Sequence, residues 1–308
     1  MIKAIKKISK KANGKNSTSK KFSAPIIRPN GQYANEKDLQ ILRSIFKWKI
    51  LPASTCKLLC SPSENPRSFE KRIERLLTRR MLQRIDHIGK LRVLQLSQEG
   101  FIRFKNDIDG LKEDGYASEL VWHDFLTVAF QLGIWAAGKP RGVDLITEQE
   151  LRRYFKHDLP HWLPNVDSHR PDGFTRFKTD SSMRMMAYEV EMSRKTIDRY
   201  DSVAQYYSRT PQVEYILWLV KDPAIMTAIQ KCVTNDDSSR LGAHHFILFD
   251  DFKDKFWDAK FVAGHKRGTT LIQLMSECSG FNVEIMSEAC RETVTVDFTK
   301  KILKGLNR

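Results

Sequence analysis

Residues 170–207 read RPDGFTRFKTDSSMRMMAYEVEMSRKTIDRYDSVAQYY, and the fold turns on how this stretch is divided. Met183 to Met192 carries the apolar run of a strand, and a helical pattern follows from Ser193 to Arg209 with Tyr200, Tyr206 and Tyr207 on it. Side chains alternate along a strand, so Glu189 and Glu191 share a face. Adjacent carboxylates repel, and a cation between them and Asp172 would relieve the repulsion. Hard divalent cations take oxygen ligands of this kind. The other reading open to the residues is that both glutamates lie on the solvated face of a half-exposed strand. Ahead of them Pro171 fixes its own φ and Gly173 permits a tight turn, so Asp172 is expected on rigid backbone.

The order Pro171-Asp172, Glu189-x-Glu191, Lys195, set on helix, strand, hairpin strand, strand, helix, strand, resembles the PD-(D/E)XK nuclease fold. More narrowly it resembles the plasmid replication-relaxation family and the related C-class mobilisation relaxases, across roughly residues 36 to 250. That resemblance implies an α+β or α/β chain: a winged helix-turn-helix, then a PD-(D/E)XK nuclease-like αβ domain with a mixed central sheet. It also implies that Asp172, Glu189 and Glu191 hold Mg²⁺ or Mn²⁺ and that Lys195 completes the catalytic set. Glu119, on the first helix, is a further acidic candidate by the same resemblance. One departure stands out: the family pattern has Lys two residues after the acidic residue, where this chain has Glu191.

A chain of 308 residues with 41% hydrophobic and 29% charged residues is expected to form two globular domains. Its net charge of +15 points to a polyanion, most often nucleic acid. The longest apolar run, Tyr215 to Val220, is strand-sized and far short of a membrane span. The basic N-terminus is not followed by an apolar core, so no secretory leader is expected. The five cysteines form no Cys-x-x-Cys pair and read as reduced thiols. The expectation is a bacterial cytoplasmic protein.

Residues 1–35 carry Lys3, Lys6, Lys7, Lys10, Lys11, Lys15, Lys20 and Lys21 with no acidic residue. Without apolar surface this segment is expected to be a disordered basic arm that grips phosphate or keeps the chain in solution. Residues 36–105 then read as a winged helix. A first helix has Leu39, Leu42, Ile45 and Phe46 on one face; a short second helix from Pro52 buries Leu58 and Leu59. A third helix from about Pro66 turns Phe69, Ile73, Leu76 and Leu77 inward. Two alternating runs, 82–88 and 91–96, flank Gly89-Lys90 as a hairpin. Arg67, Lys71, Arg72, Arg75, Arg79 and Arg80 make the third helix basic, and with Lys90 at the hairpin tip they are the expected contacts to double-stranded DNA. A winged helix used for protein contacts is the alternative.

Residues 106–115 are polar enough for a linker, and 116–308 read as the nuclease-like domain with a C-terminal extension. His123, on the helix 118–134, is either a proton carrier or a packed, inert core histidine. Val143 to Phe155 is expected to be the first strand, with Glu148 and Glu150 as alternative ligands. His157, His161 and His169 are not expected to bind zinc, because Pro160 and Pro164 break any helix that would align them. Tyr206 and Tyr207 are expected to pack, a covalent route through either being the less favoured chemistry. Val213–Val220 is expected to be a buried strand, 223–233 a helix and 244–249 a last strand. Residues beyond Asp250 suggest no role.

Three functions follow. One is a metal-dependent DNA endonuclease, a relaxase nicking one strand at a plasmid origin for mobilisation or replication, with accessory mobilisation or coupling proteins and a second copy of the chain as further partners. Another is a catalytically inactive winged-helix regulator that keeps the nuclease-like fold as a dimerisation or docking scaffold. A nuclease cutting both strands is a third.

Overall fold

The computed structural model describes residues 35–88, 91–105, 121–138, 143–178, 183–235, 243–280 and 282. Residues 1–34 of the arm, Lys90, the linker 106–115, Glu119 and the C-terminal 283–308 lie outside the described residues.

The chain begins with α1 (Glu36–Trp48), whose Leu39, Ile41, Leu42, Ile45 and Phe46 recur at helical spacing and are buried. A sharp turn at Lys49, in the left-handed region at φ 64, leads into β1 (Ile50–Pro52) and α2 (Ala53–Cys60). Next comes α3 (Pro66–Thr78), where Pro66 takes the first turn and the Asn65 side chain caps the helix by accepting from Arg67 N. The strands β2 (Leu82–Ile88) and β3 (Leu91–Leu96) pair antiparallel, and β1 adds to β3 to give a sheet of order β1-β3-β2. The expected hairpin is present, and the strand β1 is a third member that the sequence reading did not anticipate. In α2 the buried residues are Thr55 and Cys56, whereas Leu58 is 40% exposed and Leu59 half-buried. Leu59 shares the face of Thr55 and Cys56 but is covered only in part, and Leu58 turns towards solvent. α4 (Gln98–Phe104) closes the unit with Phe101 and Phe104 buried against Phe46.

The second sheet has order β4-β5-β6-β7-β8, built from β4 (Asp144–Thr147), β5 (Gly173–Lys178), β6 (Met183–Glu191), β7 (Tyr215–Val220) and β8 (His244–Leu248). β4, β5 and β6 run antiparallel, and β6, β7 and β8 run parallel. This is a mixed α+β architecture with a five-stranded mixed sheet. The two parallel connections are the crossover helices α7 (Ile197–Ser208) and α8 (Pro223–Asn235).

Alternation along β6 sends Tyr188 and Val190 to one face and Ala187 and Glu189 to the other. The first face packs on α5 (Val121–Gly138), with Leu126 and Phe130 in the core, and on α9 (Phe249–Lys255) and α10 (Leu271–Ser279). The second packs on α7 and α8 through Tyr206, Tyr207, Ile225 and Ile229. The Phe/Trp-rich segment after Asp250 thus completes the core: Phe252, Phe256 and Trp257 are buried there. No helix among the described residues is long and apolar enough to cross a membrane.

The expected strand Val143–Phe155 is cut short. Thr147 accepts from Glu150 N, and the Glu150 carboxylate accepts from Thr147 N at 2.9 Å. This reciprocal capping box starts α6 (Glu148–Arg153) in the middle of the expected strand. Glu150 also binds Lys47 Nζ at 3.0 Å, so it is committed to the fold and leaves the roster of ligands. Glu148 sits 3.7 Å from Arg152 Nε.

Candidate functional site

Asp172 lies just ahead of β5 with its main chain held at three points. Its N–H donates to Tyr188 O at 3.0 Å, and its carbonyl accepts from Glu148 N at 2.9 Å and from Gln131 Nε2 at 3.0 Å. Gly173 makes this approach possible, since a Cβ there would stand 2.8 Å from Ile146 O and 2.9 Å from Gln131 Nε2. The carboxyl reaches sideways, Oδ2 accepting the Val190 N–H at 2.6 Å. His123 on α5 stands beside it: Nε2 is 3.7 Å from Asp172 Oδ2 and 3.0 Å from Val190 O. His123 is half-buried there, bonded to the Val190 carbonyl beside a buried carboxyl.

Burial pushes Asp172 up to about 7; His123 opposes that, Glu189 and Glu148 add to it, and the Val190 N–H opposes it. For His123, burial acts to lower the pKa, and the carboxylates of Asp172, Asp124 and Glu148 outweigh it, raising it to about 9. The direction is plain for both. The two groups stand 3.7 Å apart, each stabilising the charged form of the other.

Glu189 faces the other side of the sheet. Its Oε1 accepts from His169 Nε2 at 2.6 Å and from the Tyr207 hydroxyl at 2.5 Å. Donation by Nε2 leaves His169 Nδ1 as a buried atom with no partner, which costs less as a lone pair than as an N–H. The Tyr206 and Tyr207 rings pack edge-on to His169 at 5.1 and 5.8 Å. Both phenols are buried, and burial followed by Glu189 pushes their pKa values up. A covalent route through either would need an exposed, ionisable hydroxyl, and this geometry offers none.

Glu191 follows at the strand end, 3.5 Å from Lys195 Nζ, with its Oε1 accepting weakly from Ser193 N at 3.4 Å. Burial raises its pKa, and Lys195 works against that. Lys195 is 44% exposed, its Nζ also on Ser193 Oγ at 3.1 Å. The remaining histidines of the 157–169 stretch separate: His157 is exposed beside Asp158, and His161 is exposed on a cleft with Lys156 and Arg170.

The expected trio Asp172, Glu189 and Glu191 does not gather. Among the described residues no three His, Cys, Asp or Glu side chains form a set able to hold a metal ion. The reason is the division of partners: His123 engages Asp172 from α5, His169 and Tyr207 engage Glu189 from the α7 side, and Lys195 engages Glu191. What remains is a pair. Asp172 and Glu189 repel each other, and each commits one oxygen to the protein. Two carboxylates suit a small hard ion that keeps most of its water, as Mg²⁺ does.

On the basic helix the expected contacts split. Arg72 binds Asp38 at 3.2 Å and Glu64 at 2.8 Å, and Arg75 binds Asp38 at 2.7 Å. Asp38 is buried on α1, so these two arginines tie α3 to α1. Arg67, Lys71 and Arg80 are exposed, and Arg79 is half-buried at the helix end.

Sequence reasoning missed His169 as a partner of Glu189 and Lys49 as a partner of Asp124. The Thr147-x-x-Glu150 signature was the legible clue to α6.

No protein-family model and no curated protein matches this chain. Among solved structures, restriction endonuclease FokI aligns with 70% of this chain at 10% identity and a TM-score of 0.25, and the chain spans 42% of FokI. A superposition that loose identifies neither a fold nor an activity.

Proposed function

We propose that this chain is a DNA-binding endonuclease, with α1 to β3 acting as a winged helix and the β4–β8 sheet as a nuclease-like domain. In its finer form the proposal is a relaxase that nicks one strand at a plasmid origin. The observation that carries it is the pair Asp172 and Glu189, two buried carboxylates, one just ahead of β5 and one on β6, each beside an imidazole. Buried like charges raise the energy of the fold, and such arrangements concentrate where chemistry is done. The antiparallel-then-parallel strand order and the exposed Arg67, Lys71 and Arg80 on a chain of net charge +15 support the same reading.

In this reading Asp172 and Glu189 would hold Mg²⁺ or Mn²⁺, which would supply a water of lowered pKa and offset charge on phosphate. Asp172 is kept on rigid backbone by Gln131 and Glu148 N. His123 holds or releases a proton at Nε2, beside Asp172 Oδ2. His169 and Tyr207 fix the orientation of Glu189. Arg67, Lys71 and Arg80 neutralise backbone phosphates of the duplex.

A second reading, a DNA-binding regulator with a silent nuclease-like domain, is favoured by one specific observation. The position two residues after Glu189 is Glu191, and Lys195 is turned to Glu191 and Ser193. Supercoiled plasmid carrying its own origin, incubated with the full chain and Mn²⁺ beside a Glu189→Ala control, separates the two. Nicked circles with the native chain alone support the endonuclease. Intact plasmid in every divalent metal, with origin binding retained, supports the regulator.

A further inference from the structure

After α6 the chain from 155 to 170 is irregular, with one tight turn at Lys156–Asp158 and with Pro160 and Pro164 ruling out a longer helix. Among the described residues the large apolar side chains left exposed are Leu58, Ile102, Phe155, Met183 and Ile197, and Phe155 is the aromatic one. Its ring lies against the His157 imidazole, centroids 5.6 Å apart and planes 8° from parallel. The His157 side chain is 79% exposed, 3.3 Å from Asp158, so the outer face of this stacked pair is open to water.

Next to the pair in sequence, Lys156 lines a cleft of about 330 Å³ that has Leu159 and Leu163 on its wall and His161 and Arg170 as further basic groups. Lys156 Nζ is 2.9 Å from Asp167, but both side chains lie largely in solvent, where such a pair contributes little. His161 and Arg170 are exposed, and among the described residues neither forms an ion pair. Pro164 and Asn165 line this cleft and also a second of about 430 Å³, whose charged residue is Arg209. Arg170 belongs to the segment that builds the candidate site: His169 before it bonds Glu189, and Asp172 lies two residues after it.

A duplex stacks its bases face to face and offers a protein their edges and its phosphates. An open aromatic face beside a basic cleft matches a strand whose bases are free, since every base has a π-face to stack and its phosphates take the cations. We propose that residues 155–170 form a landing surface for an unpaired DNA strand, with a base stacked on the Phe155–His157 pair and the backbone drawn along the cleft to Arg170. This deepens the endonuclease reading, on which it rests for the ligand being DNA, by naming the strand state that reaches the second sheet. Its readout is binding, so it holds or fails apart from cleavage.

The test titrates the full chain and its variants with fluorescein-labelled oligothymidylate and with labelled duplex, by anisotropy across a salt series. Phe155→Ala and His157→Ala are each expected to weaken oligothymidylate binding about tenfold, the effect of losing one base–aromatic stack, with duplex binding unchanged. Phe155→Trp, which keeps a ring, is expected to retain the strand. Arg170→Ala is expected to lower the salt slope for the strand by about 0.7, the value of one phosphate contact. Failure of the native chain to bind oligothymidylate overturns the proposal. So does binding that Phe155→Ala and His157→Ala leave unchanged, which would put the strand elsewhere on a chain of net charge +15. Equal losses for strand and duplex overturn it as well. His157→Ala, at a more exposed position, decides the matter if Phe155→Ala fails to fold. Selective loss of strand binding in a chain that never nicks plasmid upholds the surface and overturns only the endonuclease. Nicking by a chain whose strand binding is indifferent to both rings does the reverse.

Discussion

The Tyr207 hydroxyl donates to Oε1 of Glu189 at 2.5 Å, across the interface between α7 and β6. Because His169 Nε2 reaches the same oxygen at 2.6 Å, that oxygen is fully spoken for within the fold. Tyr207 is completely buried, so its hydroxyl works for Glu189 and not for solvent or substrate.

Tyr207→Phe removes one donor and leaves His169 in place. Hydrogen bonds to charged groups contribute about 1.5–3 kcal/mol, and the surviving donor should hold the loss near the lower end. Urea unfolding of Tyr207→Phe, Glu189→Gln and the double variant is expected to show strong coupling between the two sites. Additive losses would mean the short contact contributes little.

Asp172 and His123 make stability depend on pH. A carboxyl raised to about 7 from 3.8 favours the fold most below the lower value, and that contribution is lost as pH rises to 7. An imidazole raised to about 9 from 6.5 favours the fold below 6.5, and its contribution is lost as pH rises through 9. The difference in melting temperature between the native chain and Asp172→Asn should therefore move against the native chain between pH 4 and 7. The difference from His123→Asn should do the same between 6.5 and 9. Flat differences in these windows would contradict the assignments.

Gly173→Ala is expected to be costly out of proportion to one methyl. Its Cβ meets Ile146 O at 2.8 Å and the Gln131 amide at 2.9 Å, so β4 or Gln131 must give way. Overpacking of this kind costs about 1–3 kcal/mol. The unfolding midpoint measures it, and a neutral result would mean that Gln131 swings aside freely.

The basic residues of α3 should separate into two classes. Arg67→Ala and Lys71→Ala, both exposed, are expected to weaken duplex binding and to flatten its salt dependence by about one ion each. Arg72→Ala leaves Asp38 and Glu64 without their shared partner and should lower stability while hardly changing the salt slope. Fluorescence anisotropy across a salt series, beside urea unfolding, distinguishes the classes.

Local information in the chain reached as far as the alternation that places Glu189 and Glu191 on one face of β6 and the helical spacing of Leu39, Leu42, Ile45 and Phe46. It also set Asp172 on constrained backbone through Pro171 and Gly173. Those properties depend on neighbours within a few residues, and so a linear reading finds them. The partners of each charge are another matter. His169 meets Glu189 across 20 residues, His123 meets Val190 across 67, and Lys49 meets Asp124 across 75. Such pairings are set by the order of strands in the sheet and by which helix covers which face. Desolvation in the folded interior then decides that each buried carboxylate must take the nearest donor, and this is why the expected trio of ligands divided among four different partners.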